Sequence, residues 1–177
     1  AQKLCYNEIP TKINWHYVRF DFDLERMRML EFQCNDRVHD VSQLGAVTTK
    51  SLSLKPRAGN ILPRLVETPA GMLNAIGLQG PGVDGFITKY RPSLKSLKVP
   101  TLINIWGTTV EEYAEVARRF DALGGVGALE LNVSCPNIKE GGVQFGNSPD
   151  MSARVVEACR RVTRKPLSTK LSPNQTD

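Results

Sequence analysis

The sequence predicts an α/β protein built on a parallel sheet, and three observations carry that prediction. From residue 41 onward short apolar runs alternate with amphipathic helical patterns. The helical patterns open on recognisable start signals, and the apolar runs close on polar residues rather than on more apolar ones. Residues 46–49 (AVTT) are the first expected strand, ending at Lys50. Residues 101–105 (TLINI) are the second and run into Trp106 and Gly107. The third is 128–133 (ALELNV), before Ser134, Cys135 and Pro136, and the fourth is 166–171, before Ser172 and Pro173. Two helices stand between them. Thr109 and Glu112 have the spacing of a capping box, after which Tyr113, Val116, Ala117 and Phe120 recur on one face until Gly124 and Gly125 stop the helix. Ser148-Pro149-Asp150 starts the second helix, with a serine cap and proline at the first helical position. Val155, Ala158, Cys159 and Val162 form its apolar stripe, which assigns Cys159 to the core.

Composition bounds the rest. With 177 residues, 41% hydrophobic and 23% charged, the chain has material for one well-packed domain and is not globally disordered. No run approaches the ~20 apolar residues of a membrane-spanning helix, and no secretory pattern opens the chain, so a soluble cytoplasmic protein with no membrane span is expected. Ala1 in place of Met suggests a processed or partial chain. Cys5, Cys34, Cys135 and Cys159 lack the paired close spacings of a zinc site and are too sparse for a disulfide scaffold, so free thiols and no metal are expected. The net charge of +5 contains no run of five cations; it reads first as solvated surface lysines, and after that suits a small anionic ligand better than nucleic acid.

One internal boundary is sharp. None of the 14 glycines precedes Gly45, while the first 40 residues hold half the aromatics and both histidines. That stretch is net −1 and residues 41–177 are net +6. The division expected is therefore a divergent or aberrant N-terminal segment, 1–40, followed by the α/β portion, 41–177. Residues 12–22 have strand-like aromatic content, and 24–32 suit a short helix or another strand. Trp15, His16, Cys34 and His39 show no repeated ligand spacing and read as packing and surface residues.

In parallel α/β proteins reactive groups collect where strands end. Here those positions carry Lys50, Asn104, Asn132 with Cys135, and Lys170, so two lysines, two amides and one thiol converge if the strands are neighbours. Pro136 holds Cys135 extended, and the loop from Asn137 to Gly142 is polar and glycine-hinged, as a flap over a site is. A thiol with a reference pKa of about 8.5 serves as a base or nucleophile when cations lower it. No histidine is supplied for a protease-like pair, because His16 and His39 both lie in the 1–40 segment. Residues 67–82 (ETPAGMLNAIGLQGPG) read as a substrate-facing or plain connecting loop. A nucleotide fingerprint is rejected because proline interrupts it and no strand-then-helix order surrounds it.

The motifs ETPAGMLNAIGLQ, ELNVSCPNIKEGGVQFG and KLSPN, in this order and spacing, resemble the class 1B dihydroorotate dehydrogenases over roughly residues 41–177. The resemblance implies that 41–177 is about the N-terminal half of a flavin-binding (β/α)8 TIM barrel, with parallel strands inside and helices outside. It implies FMN-dependent oxidation of (S)-dihydroorotate to orotate in pyrimidine biosynthesis, with Cys135 as the base for the C5 proton while hydride passes from C6 to FMN. By the same resemblance Lys50 and Ser51 lie by the flavin, Lys50 also by the substrate, and Asn104, Asn132 and Lys170 contact FMN. Substrate would be held by Asn74, Ala75, Ile76, Gly77 and Leu78, with Asn132 and Asn137. FAD and an iron–sulfur cluster would sit only on a partner electron-transfer subunit, and the complete protein would be a homo-oligomer.

Three departures accompany the resemblance. Residues 25–36 (ERMRMLEFQCND) stand where the family has a glycine-rich loop, Trp106 stands where a small residue is usual, and Gly80 replaces an asparagine. A complete (β/α)8 barrel takes ~250 residues and builds its phosphate site from the loops after strands 7 and 8, so the isolated 177-residue chain is expected to be inactive or nearly so. The alternatives are a dihydropyrimidine dehydrogenase-like flavin barrel and a non-catalytic truncated remnant.

Overall fold

Where each apolar run pairs is settled by the computed structural model, which describes residues 45–134 and 145–171. The readings of residues 12–32 and of the loop that begins at Cys135 fall outside the described residues. In chain order the elements are β1 (Val47–Thr48), β2 (Leu65–Thr68), β3 (Gly71–Asn74), α1 (Gly82–Ser96), β4 (Thr101–Ile105), α2 (Val110–Asp121), β5 (Val126–Asn132), α3 (Pro149–Val162) and β6 (Leu167–Lys170). β1, β4, β5 and β6 hydrogen-bond in that order as a parallel sheet. Each parallel step needs a crossover, and crossovers of one hand between successive neighbours put every helix on the same face. A doubly wound sheet reverses its strand order at a switch point; this one does not, so it is a sector of a (β/α) barrel. The barrel is not closed: among the described residues β1 and β6 are its two edges.

Strand alternation divides the sheet's residues between two faces. Ile103 and Ile105 of β4 and Leu129 and Leu131 of β5 turn to the helices, where they form one core with Phe86 of α1, Val116 and Phe120 of α2, and Val155 and Cys159 of α3. Phe86 meets Phe120 edge-on at 5.9 Å between centroids, locking α1 to α2. The Thr109 side chain accepts the Glu112 amide at 3.2 Å, as the capping box requires. The reciprocal bond goes one residue further upstream than expected, from the Thr108 amide to the Glu112 carboxylate at 2.7 Å. Ser148 caps α3 by accepting from the Met151 amide, with Pro149 at the first helical position. At the far end of α2 the Asp121 carboxylate accepts from the Thr163 hydroxyl at 2.6 Å and the Arg164 amide at 2.8 Å, and these two bonds hold its carboxyl below the usual carboxylate range.

Two expectations need correction. Residues 67–82 are not one loop: β2 and β3 pair antiparallel as a hairpin from Leu65 opposite Asn74 to Thr68 opposite Gly71. A helix then does follow, since α1 opens at Gly82 with no side-chain cap. Its start signal is absent from the sequence, and Pro92 lies inside it; the stripe Val83, Phe86, Tyr90 and Leu94 holds it by burial instead. The nucleotide fingerprint still fails, because the strand before the helix is antiparallel and belongs to the hairpin. The strand limits also move: β1 is shorter than 46–49, β5 begins at Val126 rather than 128, and β6 is 167–170. Gly125, at φ +89°, makes the turn into β5 where a Cβ would stand 2.5 Å from the Leu94 carbonyl oxygen.

Two measurements check this packing. Phe120→Ala empties the junction of α1, α2 and the sheet and is expected to lower unfolding free energy by about 3–5 kcal/mol in urea denaturation; a loss under 1 kcal/mol would contradict the core described. Burial pushes the Cys159 thiol up to about 12, so at pH 8 it stays protonated and enclosed. A thiol reagent should label it only after denaturant is added, with mass spectrometry of the peptide as the readout.

Candidate functional site

On the face turned away from the helices, register sets polar residues side by side. Asn104 of β4 lies opposite Glu130 of β5, Glu130 opposite Ser168 of β6, and Asn132 opposite Lys170. Asn104, Glu130 and Asn132 are each only 2% exposed. Buried amides and carboxylates destabilise a fold by several kcal/mol unless they bond to one another. Here they do. Ser51, just beyond β1, is brought among them by the backbone: the Leu52 amide donates to the Asn104 carbonyl at 2.9 Å and the Trp106 amide to the Leu52 carbonyl at 3.0 Å. Its hydroxyl donates to Asn104 Oδ1 and accepts from Asn132 Nδ2 at 2.9 Å. Asn104 Nδ2 donates to Glu130 Oε1. Asn132 Oδ1 accepts from the Ser134 amide at 3.3 Å and the Ser134 hydroxyl at 3.2 Å. Tyr113 of α2 holds the end of β5 from the helix side, its hydroxyl donating to the Asn132 carbonyl at 2.6 Å.

Of the residues singled out by sequence, the structure thus joins Ser51, Asn104 and Asn132 in one buried network, at the strand ends where barrel enzymes keep their chemistry. Lys50 and Lys170, both half-buried, stand at the ends of the two edge strands, next in chain to Ser51 and next in register to Asn132. Cys135 and Asn137 lie outside the described residues.

The segment from Asn74 to Leu78 is held differently. Asn74 is exposed at the end of β3, and Ala75 is also exposed. The segment's hydrogen bonds go back to residues 60–64: the Ala75 amide donates to the Arg64 carbonyl, the Asn60 side chain donates to the Ala75 carbonyl, and the Asn60 amide donates to the Ile76 carbonyl. Arg64 braces the turn by donating to the carbonyls of Ala58 and Asn60 and to the Gln79 side chain. Gly77 is required here, at φ +78°, because a Cβ would come within 2.6 Å of the Asn60 side chain.

Glu130 is the residue that sequence reading passed over. One carboxylate inside ALELNV, two positions before Asn132, had to share its face, and that parity was the available signal. Three buried side-chain polar atoms, Thr101 Oγ1, Trp106 Nε1 and Ser168 Oγ, have no hydrogen-bond partner among the described residues.

The sequence profile of the family described as dihydroorotate dehydrogenase matches residues 29–177. A curated relative from Trichlorobacter lovleyi, "Dihydroorotate dehydrogenase B (NAD(+)), catalytic subunit", is 58% identical over 138 residues, and one of the same name from Pelobacter propionicus is 55% identical over 138. Each alignment covers 78% of this chain and 45% of the relative, so the chain spans about half the length of the curated relatives it matches. Among solved structures, that of DHODH in complex with ferulenol from Eimeria tenella matches with a TM-score of 0.64 at 19% identity, over 76% of this chain and 44% of that one. At that identity the likeness is one of fold, and it agrees with part of a TIM barrel.

Tyr113→Phe removes one buried hydroxyl and leaves the Asn132 carbonyl short of a donor. A loss of about 1–3 kcal/mol in unfolding free energy is expected, measured by urea denaturation; an unchanged midpoint would show that β5 does not depend on that bond.

Proposed function

We propose a function for this chain from one premise: it belongs to the dihydroorotate dehydrogenase family. The function is oxidation of (S)-dihydroorotate to orotate, in the de novo pathway to UMP, by the FMN-bound catalytic subunit of which this chain supplies about the first half of the barrel. The observation that carries it is the buried Ser51–Asn104–Asn132 network, standing at the ends of adjacent parallel strands and leading directly in sequence to Ser134 and Cys135.

The donor set fits a flavin. Each asparagine amide has two N–H groups and uses one in the network, and Ser168, on the same face as Glu130, adds a buried hydroxyl with no partner among the described residues. Such a mixture of donors and acceptors suits the heteroatom-rich edge of an isoalloxazine. Asn104, Asn132 and Lys170, together with Lys50 and Ser51, would hold it. Bound FMN supplies the hydride acceptor. The chain's own residues do the rest. The Cys135 thiolate takes the proton from C5 of dihydroorotate, leaving the electron pair to form the C5–C6 double bond as hydride departs from C6. Lys50 and Lys170 carry positive charge at the two strand ends, which offsets the negative charge arriving with the hydride. Asn74 to Leu78, with Asn132 and Asn137, present amides to the planar pyrimidine acid. The Arg64 brace and the shape forced by Gly77 fix the backbone of that segment before substrate arrives.

Because its relatives carry the words "NAD(+)" and "catalytic subunit" in their names, the electrons are proposed to leave through a partner subunit bearing FAD and an iron–sulfur cluster, with a homo-oligomeric core and a cytoplasmic location. No helix among the described residues is long and apolar enough to cross a membrane.

In the FMN-loaded enzyme, Cys135→Ala is expected to lower kcat by about 10²–10⁴-fold with the flavin spectrum retained, followed by orotate absorbance. Turnover of dihydroorotate at wild-type rate by this variant, or oxidation of dihydrouracil in preference to dihydroorotate by the wild type, would overturn the reading.

A further inference from the structure

We propose that Glu130 is a positioning residue that sets which way round the Asn104 amide faces, resting on the reading above that this amide meets the ligand. Glu130 lies on the barrel face of β5, 2% exposed, between Asn104 on one side and Ser168 on the other. The oxygen and nitrogen ends of an amide are nearly the same size, so packing alone does not choose between its two orientations; the hydrogen-bond partners do. Those partners form a chain with a single direction. The Ser134 amide and hydroxyl donate to Asn132 Oδ1, Asn132 Nδ2 donates to Ser51, Ser51 donates to Asn104 Oδ1, and Asn104 Nδ2 donates to Glu130.

The interior members can each be reversed. A serine hydroxyl donates or accepts, and an asparagine amide can turn over. The direction is imposed at the two ends, by groups that work one way only: a backbone N–H at Ser134, which donates, and a carboxylate at Glu130, which accepts. The ends do not act equally on the two amides. Asn132 is fixed by the neighbouring Ser134 amide, whereas among the described residues Asn104 has Glu130 beside it and the reversible Ser51 hydroxyl on its other side. Replacing the carboxyl group at residue 130 by an amide, which can also donate, therefore releases Asn104 and leaves Asn132 in place. A carboxylate that merely filled space would produce no such asymmetry. The same position sets what Asn104 offers a ligand: with Nδ2 toward Glu130 and Oδ1 toward Ser51, its second N–H and second lone pair have fixed directions.

Glu130→Gln keeps the volume and supplies a side chain able to donate to Asn104 Oδ1. The test compares wild type and E130Q by thermal melting, by NMR of the asparagine side-chain amides, and by FMN titration. The expected result is a melting point within a few degrees of wild type, loss of exchange protection at the Asn104 side-chain amide, retained protection at Asn132, and about tenfold weaker FMN binding. Wild-type protection at Asn104 in a folded E130Q, or equal loss at both asparagines, overturns the proposal. Ser51→Ala provides the check should E130Q not fold: Asn104 keeps its protected amide if Glu130 orients it, and loses it if Ser51 does, which again overturns the proposal. A complete wild-type protein, with the rest of the barrel present, that binds no FMN would remove the functional reading, while the NMR comparison still decides the role of Glu130.

Discussion

The interior of a barrel leaves its polar side chains no water to bond with, so each must find a partner on a neighbouring strand. That constraint governs the face carrying Asn104, Glu130 and Asn132. Their mutual bonds are only available in one strand register, because a one-residue slip of β5 against β4 would turn Glu130 and Asn132 toward the helices, away from Asn104, and turn Leu129 and Leu131 inward. The network therefore does two things with the same atoms. It makes the parallel register costly to change, and it stands at the strand ends where parallel barrels commonly keep their chemistry. Ser51 bridges both asparagines and so joins the two halves of the network.

Much of the sheet was legible in sequence for a simple reason: strands buried on both faces are short apolar runs, and β4 was recognised to the residue. α2 and α3 announced themselves through Thr109 and Ser148, whose side chains do cap as their spacing indicated. α1 was not legible. It begins at a glycine, lacks a capping side chain and contains Pro92, three signals against a helix; burial of Phe86, Tyr90 and Leu94 overrides them. The β2–β3 hairpin was hidden for the opposite reason. Its turn residues are those of a loop, and its apolar side chains, Leu65, Val66, Met72 and Leu73, are exposed rather than arranged with one dry face.

For the candidate site, chain position revealed which residues stand at strand ends but not which bond to one another. Ser51 entered only through a family resemblance, since a serine after a strand carries no signal of its own, yet it is the link between Asn104 and Asn132. Glu130 was obscured by the apolar letters around it. Arg64 and Asn60 brace the Asn74–Leu78 segment from across a hairpin, and that kind of support appears only when the chain has folded back.

The seam between the second and third βα units lies at the opposite pole of the sheet. There Asp121 gathers the Thr163 hydroxyl and the Arg164 amide, and the Lys165 ammonium reaches the Val126 carbonyl at 2.9 Å. Joinery and reactivity are thereby housed at separate poles. Loops above the sheet can drift in length and composition over evolutionary time while the rivets beneath keep successive units in step, which is the circumstance under which one scaffold accumulates new chemistries without surrendering its architecture.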